Sequence, residues 1–138
     1  MESAQNYQEQ LQIFRILREQ RDMYQSQLEI LNVSRSNIVN TKITIENVKE
    51  GVNENDEILI PVGGLAHIKA QIKDTKKVLL AVTQDVIIEK SLDEAIELLD
   101  KRIEQHDREI QFIRTQLQNI DLNLQKSSQI LQQGYMQQ

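Results

Sequence analysis

The residues of this 138-residue sequence that could carry out chemistry are spaced in ways that argue against a catalytic site. The two histidines, His67 and His106, stand far apart in the expected fold, which disfavours a metal site. Gly63-Gly64 lacks the Gly-Lys-Ser/Thr continuation of a phosphate-binding loop and therefore predicts a hairpin turn. Ser91 has no base near it in the expected fold, so it is interpreted as a helix cap. We expect no catalytic residue, no metal and no cofactor.

Composition disfavours several classes of protein. The absence of cysteine excludes disulfides and thiolate metal sites. A formal net charge of −5 argues against a nucleic-acid partner, which would favour a basic excess. No apolar run approaches the roughly 20 residues that span a bilayer, and the polar start lacks the features of a signal peptide. We expect a cytoplasmic protein with no nucleic-acid or membrane partner.

The segment 57–90 has the pattern of two β-hairpins. Apolar residues alternate with other residues from Ile58 to Val62 and again from Ile68 to Ile72, which is the period of half-buried strands. Gly63-Gly64 lies between these two runs and predicts the turn of the first hairpin.

The second hairpin is predicted from strands at 78–82 and 86–88, joined through Thr83-Gln84-Asp85. Four short strands are too few to bury their own surface, and free strand edges invite pairing with other chains. We therefore expect other subunits to complete the sheet. The positions expected to mediate subunit assembly are Ile58, Ile60, Val62, Ile68, Ala70, Ile72, Val78, Leu80, Val82, Val86 and Ile88.

Long helical patterns flank this block at 5–48 and 91–133, and glycines at 51 and 134 are expected to end them. Ser91 and Glu94 form a capping-box pattern at the start of the second helix. Eight of twelve heptad core positions are apolar in the first helix and ten of twelve in the second. The twelve of the second are Leu92, Ile96, Leu99, Ile103, His106, Ile110, Ile113, Leu117, Ile120, Leu124, Ser127 and Leu131.

The nearly equal helix lengths predict an antiparallel coiled-coil hairpin, with both chain termini together and far from the β-hairpins. The expected fold class is therefore α+β, a single domain over 1–138 with two β-hairpins between the helices. His106 lies at a core position, where it either senses pH or, as a lone polar residue, fixes the register of the helices.

The end of the coiled coil that carries both chain termini, the tip, is poor in charge and rich in apolar residues. After Thr115 the only charged residues are Asp121 and Lys126. This composition favours apolar contact with a partner, although the same residues could simply be core at fraying ends. The predicted contact residues are Tyr7, Leu11, Ile13, Phe14, Leu17, Leu124, Ile130, Leu131, Tyr135 and Met136.

The β segment resembles the α-type subunits of the prefoldin family, most closely the archaeal form. The residues that carry the resemblance are Ile60-Pro61-Val62-Gly63-Gly64, Ile68-Lys69-Ala70, Asp74, Lys77-Val78-Leu79, Val86-Ile87-Ile88-Glu89-Lys90-Ser91 and Glu94-Ala95. The coils match by pattern and length only. The chain departs from the family at Thr83-Gln84-Asp85, where a Gly-rich turn is usual, and at His67, where an aromatic residue is usual.

The resemblance implies a heterohexamer of two α and four β subunits, whose hairpins build a β-barrel platform carrying six coiled-coil tentacles. Prefoldin tips grip non-native polypeptides without ATP and pass them to a group II chaperonin. The predicted partners are therefore β subunits, a second α subunit, unfolded clients and this chaperonin. A scaffolding coiled-coil protein without client-holding activity is the alternative, and it would bind no β subunit. An enzyme ranks third, and nucleotide hydrolysis is the assay that would reveal one.

Overall fold

The structure is a computed structural model that describes the backbone of residues 2–136 and the side chains of residues 4–135. Along the chain, one long helix precedes four short strands and a second long helix follows them. The elements are α1 (Glu2–Gly51), β1 (Glu57–Pro61), β2 (His67–Gln71), β3 (Lys77–Ala81), β4 (Ile87–Ser91) and α2 (Leu92–Met136). The predicted α+β class, with two hairpins between two long helices, is confirmed.

The chain forms two compact units. The terminal unit contains the residues up to Ser34 and those from Gln105 onward, and its described residues, 2–34 and 105–136, belong to the two helices. The hairpin unit is Arg35–Glu104 and contains both hairpins with the adjoining helix segments.

The start of α2 is fixed by the capping residues that the sequence indicates. The Ser91 hydroxyl oxygen accepts the Glu94 backbone N–H at 3.2 Å. The same hydroxyl donates to Glu94 Oε1 at 3.1 Å, so the glutamate reaches the serine side chain. Asp93 and Glu94 place negative charge in the first turn, where the helix dipole favours it.

Gly134 does not end α2, and this prediction is wrong. The helix runs through Gly134 to Met136. A Cβ added at Gly134 would lie 3.2 Å from Cδ2 of Tyr7, so the glycine gives the tyrosine ring room to approach the helix. The close approach of the Tyr7 ring, rather than a helix end, therefore explains why a glycine occupies position 134.

The heptad pattern of α2 predicts its buried side correctly, since all twelve of its core positions are buried or half-buried. The helix segments run antiparallel within each unit. In the terminal unit Tyr7 lies beside Gly134, and Arg21 pairs with Asp121 at 3.5 Å. In the hairpin unit Lys42 pairs with Asp100 and Lys49 with Asp93, both at 2.6 Å. Within each unit the residue number on α2 therefore falls as the number on α1 rises.

Two lysines of α1 in the hairpin unit have raised pKa values because of carboxylates on α2. The hydrogen bond to Asp100 is the main cause of the raised pKa of Lys42. The hydrogen bond to Asp93, at 2.6 Å, is the main cause of the raised pKa of Lys49. A raised lysine pKa means that the folded state holds its proton more tightly than the unfolded chain. The stability from these pairs is therefore fully present below pH 10.5, the ordinary lysine value, and is lost as the pH rises through the folded pKa.

The first hairpin pairs β1 with β2, with Ile60 opposite Ile68. Its loop is closed by the Val62 N–H, which donates to the Ala66 carbonyl at 3.0 Å. Gly63 in this loop has a φ of +137°, which side chains rarely tolerate.

The second hairpin pairs β3 with β4, with Leu80 opposite Ile88. The Val82 N–H donates to the Val86 carbonyl at 2.9 Å, which is the same closure as in the first loop. Here the Thr83 hydroxyl oxygen accepts the Val86 N–H at 3.2 Å, so a threonine turn replaces the glycine-rich turn that the family resemblance leads one to expect.

The core of the hairpin unit lies between the helices and the second hairpin. Its buried apolar residues are Ile45, Leu92, Ala95 and Leu99. Because β4 ends at Ser91 and α2 begins at the next residue, the second hairpin is held close to the helices. The half-buried residues that pack against the core are Ile38, Val48, Val78, Leu80 and Ile96.

Candidate interaction surfaces

The polar residues that the sequence suggests for chemistry take part in local contacts. Ser34 Oγ and His106 Nε2 lie 2.9 Å apart in the terminal unit, which pairs two polar groups across the helices and agrees with a role in register. His67 is exposed at the start of β2. Within residues 2–136 we find no group of three His, Cys, Asp or Glu side chains arranged for a metal. Neither helix, over the same residues, is long and apolar enough to cross a membrane.

Three of the predicted contact residues meet around one groove at the tip. Tyr7 of α1 lies beside Leu131 and Tyr135 of α2, and the groove has a volume of about 530 Å³. Tyr135 is 73% exposed, which is unusual for a large aromatic side chain. Ser128 and Gln132 complete the lining, so the groove offers apolar surface with few charges.

The other predicted contact residues differ in exposure. Ile13 and Ile130 are 45% and 47% exposed and present apolar surface. Leu124 is buried in the seam, so it offers no surface while the helices are paired. The Met136 side chain lies outside the described residues. The half-buried members are Leu11, Phe14 and Leu17, and the Arg18 guanidinium lies 5.9 Å from the centre of the Phe14 ring.

A buried hydroxyl weakens the seam near the tip. Ser127 is only 3% exposed, and its Oγ has no hydrogen-bond partner among the described residues. An unsatisfied buried polar group costs about 1–3 kcal/mol. We expect Ser127→Ala to raise the free energy of unfolding by about 1 kcal/mol, since it removes the hydroxyl and favours the helix. Urea denaturation followed by circular dichroism measures this change.

Ser128→Ala is the matched control, because Ser128 is the next residue and is only half-buried. We expect it to give no more than the few tenths of a kcal/mol that alanine gains as a helix former. Equal effects of the two substitutions would show that the buried hydroxyl is not the cause.

The predicted assembly residues form a continuous apolar face on the first hairpin. Ile60, Val62 and Ile68 are exposed at 40%, 53% and 50%, although all three are large apolar side chains. Ile58 and Ala70 are half-buried and lie opposite each other in the register. The two hairpins form separate two-stranded sheets within the described residues, so this face and the strand edges have no covering strand.

The second hairpin presents a different face from the one that the sequence indicates. Val78 and Leu80 pack against the chain's own core, while Leu79 and Ile87, on the other face, are 70% and 64% exposed. Val86 remains 49% exposed at the loop. The other predicted assembly residues of this unit are half-buried, namely Ile72, Val82 and Ile88.

Sequence reasoning missed a second set of exposed apolar residues, which lies in the terminal unit. Ile16, Met23, Ile30 and Phe112 are 48–69% exposed. The first three are seven residues apart and lie outside the core positions of α1. This spacing was the available sign, because apolar residues that repeat every seven positions share one side of a coiled-coil helix.

The family model for the prefoldin subunit matches residues 17–137. The chain therefore belongs to the prefoldin family, and the predicted resemblance is confirmed.

The relatives of this chain include archaeal prefoldin α subunits. It is 32% identical over 92 residues to prefoldin subunit alpha of Pyrococcus horikoshii, a match that covers 67% of this chain and 62% of that subunit. It is 37% identical over 101 residues to prefoldin subunit alpha 1 of Methanocaldococcus jannaschii, covering 73% of this chain and 68% of the relative. The chain thus spans about three fifths of the Pyrococcus subunit that it matches.

A solved structure shares the fold. A chain in the cryo-EM structure of filamentous prefoldin from Methanocaldococcus jannaschii superposes with a TM-score of 0.71, covering 83% of this chain and 94% of that chain. The two sequences are 16% identical in this comparison, so the likeness concerns the fold.

Proposed function

We propose that this chain is a subunit of a chaperone that holds non-native polypeptides without ATP and passes them to a group II chaperonin. The observation that carries the proposal is the distribution of apolar surface. One exposed apolar set lies on the hairpins, at residues such as Ile60 and Ile68, and another lies at the tip, at Ile13, Ile130 and Tyr135. Exposed apolar patches of this kind mark interaction sites in soluble proteins.

The hairpin surface is proposed to serve assembly. Two-stranded sheets are marginal in water by themselves, and the exposed face of the first hairpin needs apolar neighbours. Hairpins from a second α subunit and from four β subunits would supply them in a β-barrel platform. Such a platform would gather several helix pairs into one assembly and place several tips within reach of one client.

The tip surface is proposed to hold clients. An unfolded chain offers no fixed shape, so contacts to it must be adaptable and non-directional, as apolar contacts are. Partial burial of each tip side chain gives about 0.5–1 kcal/mol, less than full burial would give. A single tip therefore binds weakly. Several tips in one assembly hold firmly because later contacts become intramolecular, and they can still release one at a time.

The proposal is tested by an aggregation assay. We expect the assembled chain, with its β subunits and without nucleotide, to suppress the aggregation of a chemically denatured protein when present in equimolar amount. Added group II chaperonin with ATP should then release the client in folded form. A scaffolding protein would leave aggregation unchanged, and that result would contradict the proposed function.

A further inference from the structure

An apolar groove lies on the side of the helix pair in the terminal unit. Ile30 of α1 and Phe112 of α2 are 69% and 58% exposed and line the same groove, whose volume is about 560 Å³. Leu31 and Ile113 form the apolar lining between them. Ile30 and Phe112 are neither core positions of the seam nor predicted contact residues of the tip.

The groove belongs to a longer row of exposed apolar residues. Ile16 and Met23 precede Ile30 at intervals of seven, so they lie on the same side of α1. Since the buried positions of α2 follow the heptad pattern throughout the unit, residues at multiples of seven stay on one side of the pair.

The same spacing connects the groove to the tip. Ile13 is two heptads before Gln27, and Ile130 is three heptads after Glu109, while both Gln27 and Glu109 line the groove. Ile13 and Ile130 therefore lie on the groove side as well. We call this row the lateral strip, and it consists of Ile13, Ile16, Met23, Ile30, Phe112 and Ile130.

The other side of the seam is polar. The exposed heptad positions there are polar or charged and carry no large apolar side chain. These positions are Arg18, Gln25 and Asn32 on α1, and Asp107, Arg114 and Asp121 on α2. Ordinary exposure of single apolar residues would not favour one side, so the asymmetry needs an explanation.

The size of the lateral strip argues against a second copy of the chain as its occupant. Six side chains that are about half exposed offer a few hundred Å², whereas a stable interface buries roughly 800 Å² on each partner. A narrow row fits an extended segment of polypeptide better than a folded surface. The groove is bordered by Arg108 and Glu109, whose charges balance, so it favours a segment with little charge.

We propose that the lateral strip is a second contact surface for non-native polypeptide, which binds extended apolar segments of low charge and continues the tip surface along the helix pair. This inference rests on the proposed function, because it assumes that the chain holds clients. It adds where on the helix pair a client is bound and which of the client's segments are preferred. A client held at the tip would lie with its apolar segments against Ile30 and Phe112.

The test compares two matched double variants of the full-length chain in its assembled form. Ile30→Ser with Phe112→Ser removes the groove side chains. Val33→Ser with Leu122→Ser is the control, since these residues are 62% and 56% exposed, sit on the same two helices and do not line the groove. The probe is reduced, carboxymethylated α-lactalbumin, a soluble and permanently unfolded protein. We expect the groove variant to weaken its binding by about tenfold and the control by less than about twofold.

Circular dichroism and native mass should be the same for both variants and the wild type. A groove variant that binds like the wild type would overturn the lateral strip and leave the proposed function standing. A groove variant that loses subunits would show that the lateral strip is an assembly interface and would also overturn the inference. Failure of the wild-type assembly itself to bind the probe would contradict the proposed function, and the lateral strip with it.

Discussion

Removal of residues 1–12 and 128–138 is expected to abolish the suppression of aggregation while leaving the subunit assembly intact. The deletion removes the groove formed by Tyr7, Leu131 and Tyr135. It leaves the hairpin unit untouched, and that unit has its own buried cluster around Ile45 and Leu99. Because each tip contributes only weak contacts that act together, loss of the tips from both copies of this chain is expected to break the cooperative hold. Light scattering of a denatured client follows the activity, and native mass follows the assembly.

A substitution control separates the loss of side chains from the fraying of shortened helices. Tyr7→Ser with Tyr135→Ser keeps the full helix length and removes two aromatic rings that line the tip groove. We expect it to weaken holding several-fold, since burial of part of an aromatic ring contributes about 1 kcal/mol. Unchanged holding activity in the truncated assembly would refute client contact at the tip.

Paired substitution of Ile60→Asp and Ile68→Asp is expected to dissociate the assembly. The two isoleucines lie directly opposite each other on neighbouring strands and are 40% and 50% exposed in the single chain. Neither belongs to the buried cluster of the hairpin unit, so the chain itself should still fold. If the face is buried between subunits, two carboxylates there cost several kcal/mol. Native mass spectrometry of the co-expressed subunits gives the result directly.

Leu59→Asp is the control on the same strand. Leu59 points to the opposite face of the first hairpin and is 64% exposed. We expect this variant to assemble like the wild type. Assembly that survives the double substitution but fails with Leu59→Asp would reverse the assignment of the two faces.

The helices and the first hairpin could be predicted because their patterns have a single interpretation. The heptad positions of α2 leave one side for burial, and all twelve are buried or half-buried in the structure. In the first hairpin, the alternation from Ile58 to Val62 and from Ile68 to Ile72 predicts two strands, which pair in the structure. Apolar residues at every second position indicate a strand, whereas apolar residues at intervals of three and four indicate a helix, so each pattern excludes the other element.

The second hairpin could not be predicted in the same detail, because both of its faces are apolar. Alternation then carries no information on which face packs inward. The connection decides it, since β4 runs directly into α2 and places Val78 and Leu80 against the helix core. The role of Gly134 could not be predicted from the sequence either. A glycine near a helix end usually marks the end, but here the approach of Tyr7 accounts for it.

The lateral strip could not be predicted because its residues on α1 share the seven-residue interval of the core positions. Ile16, Met23 and Ile30 repeat at the seam's own interval but one position before core residues. Only the exposure of their side chains, and the shared groove with Phe112, distinguishes them from poorly placed core residues.

The central claim is that the hairpins of one copy form sheets that only other subunits can complete. Native mass measurement of this chain co-expressed with a prefoldin β subunit tests it most directly. The account predicts a complex of two copies of this chain with four β subunits. A stable, folded single copy that binds no β subunit would contradict it.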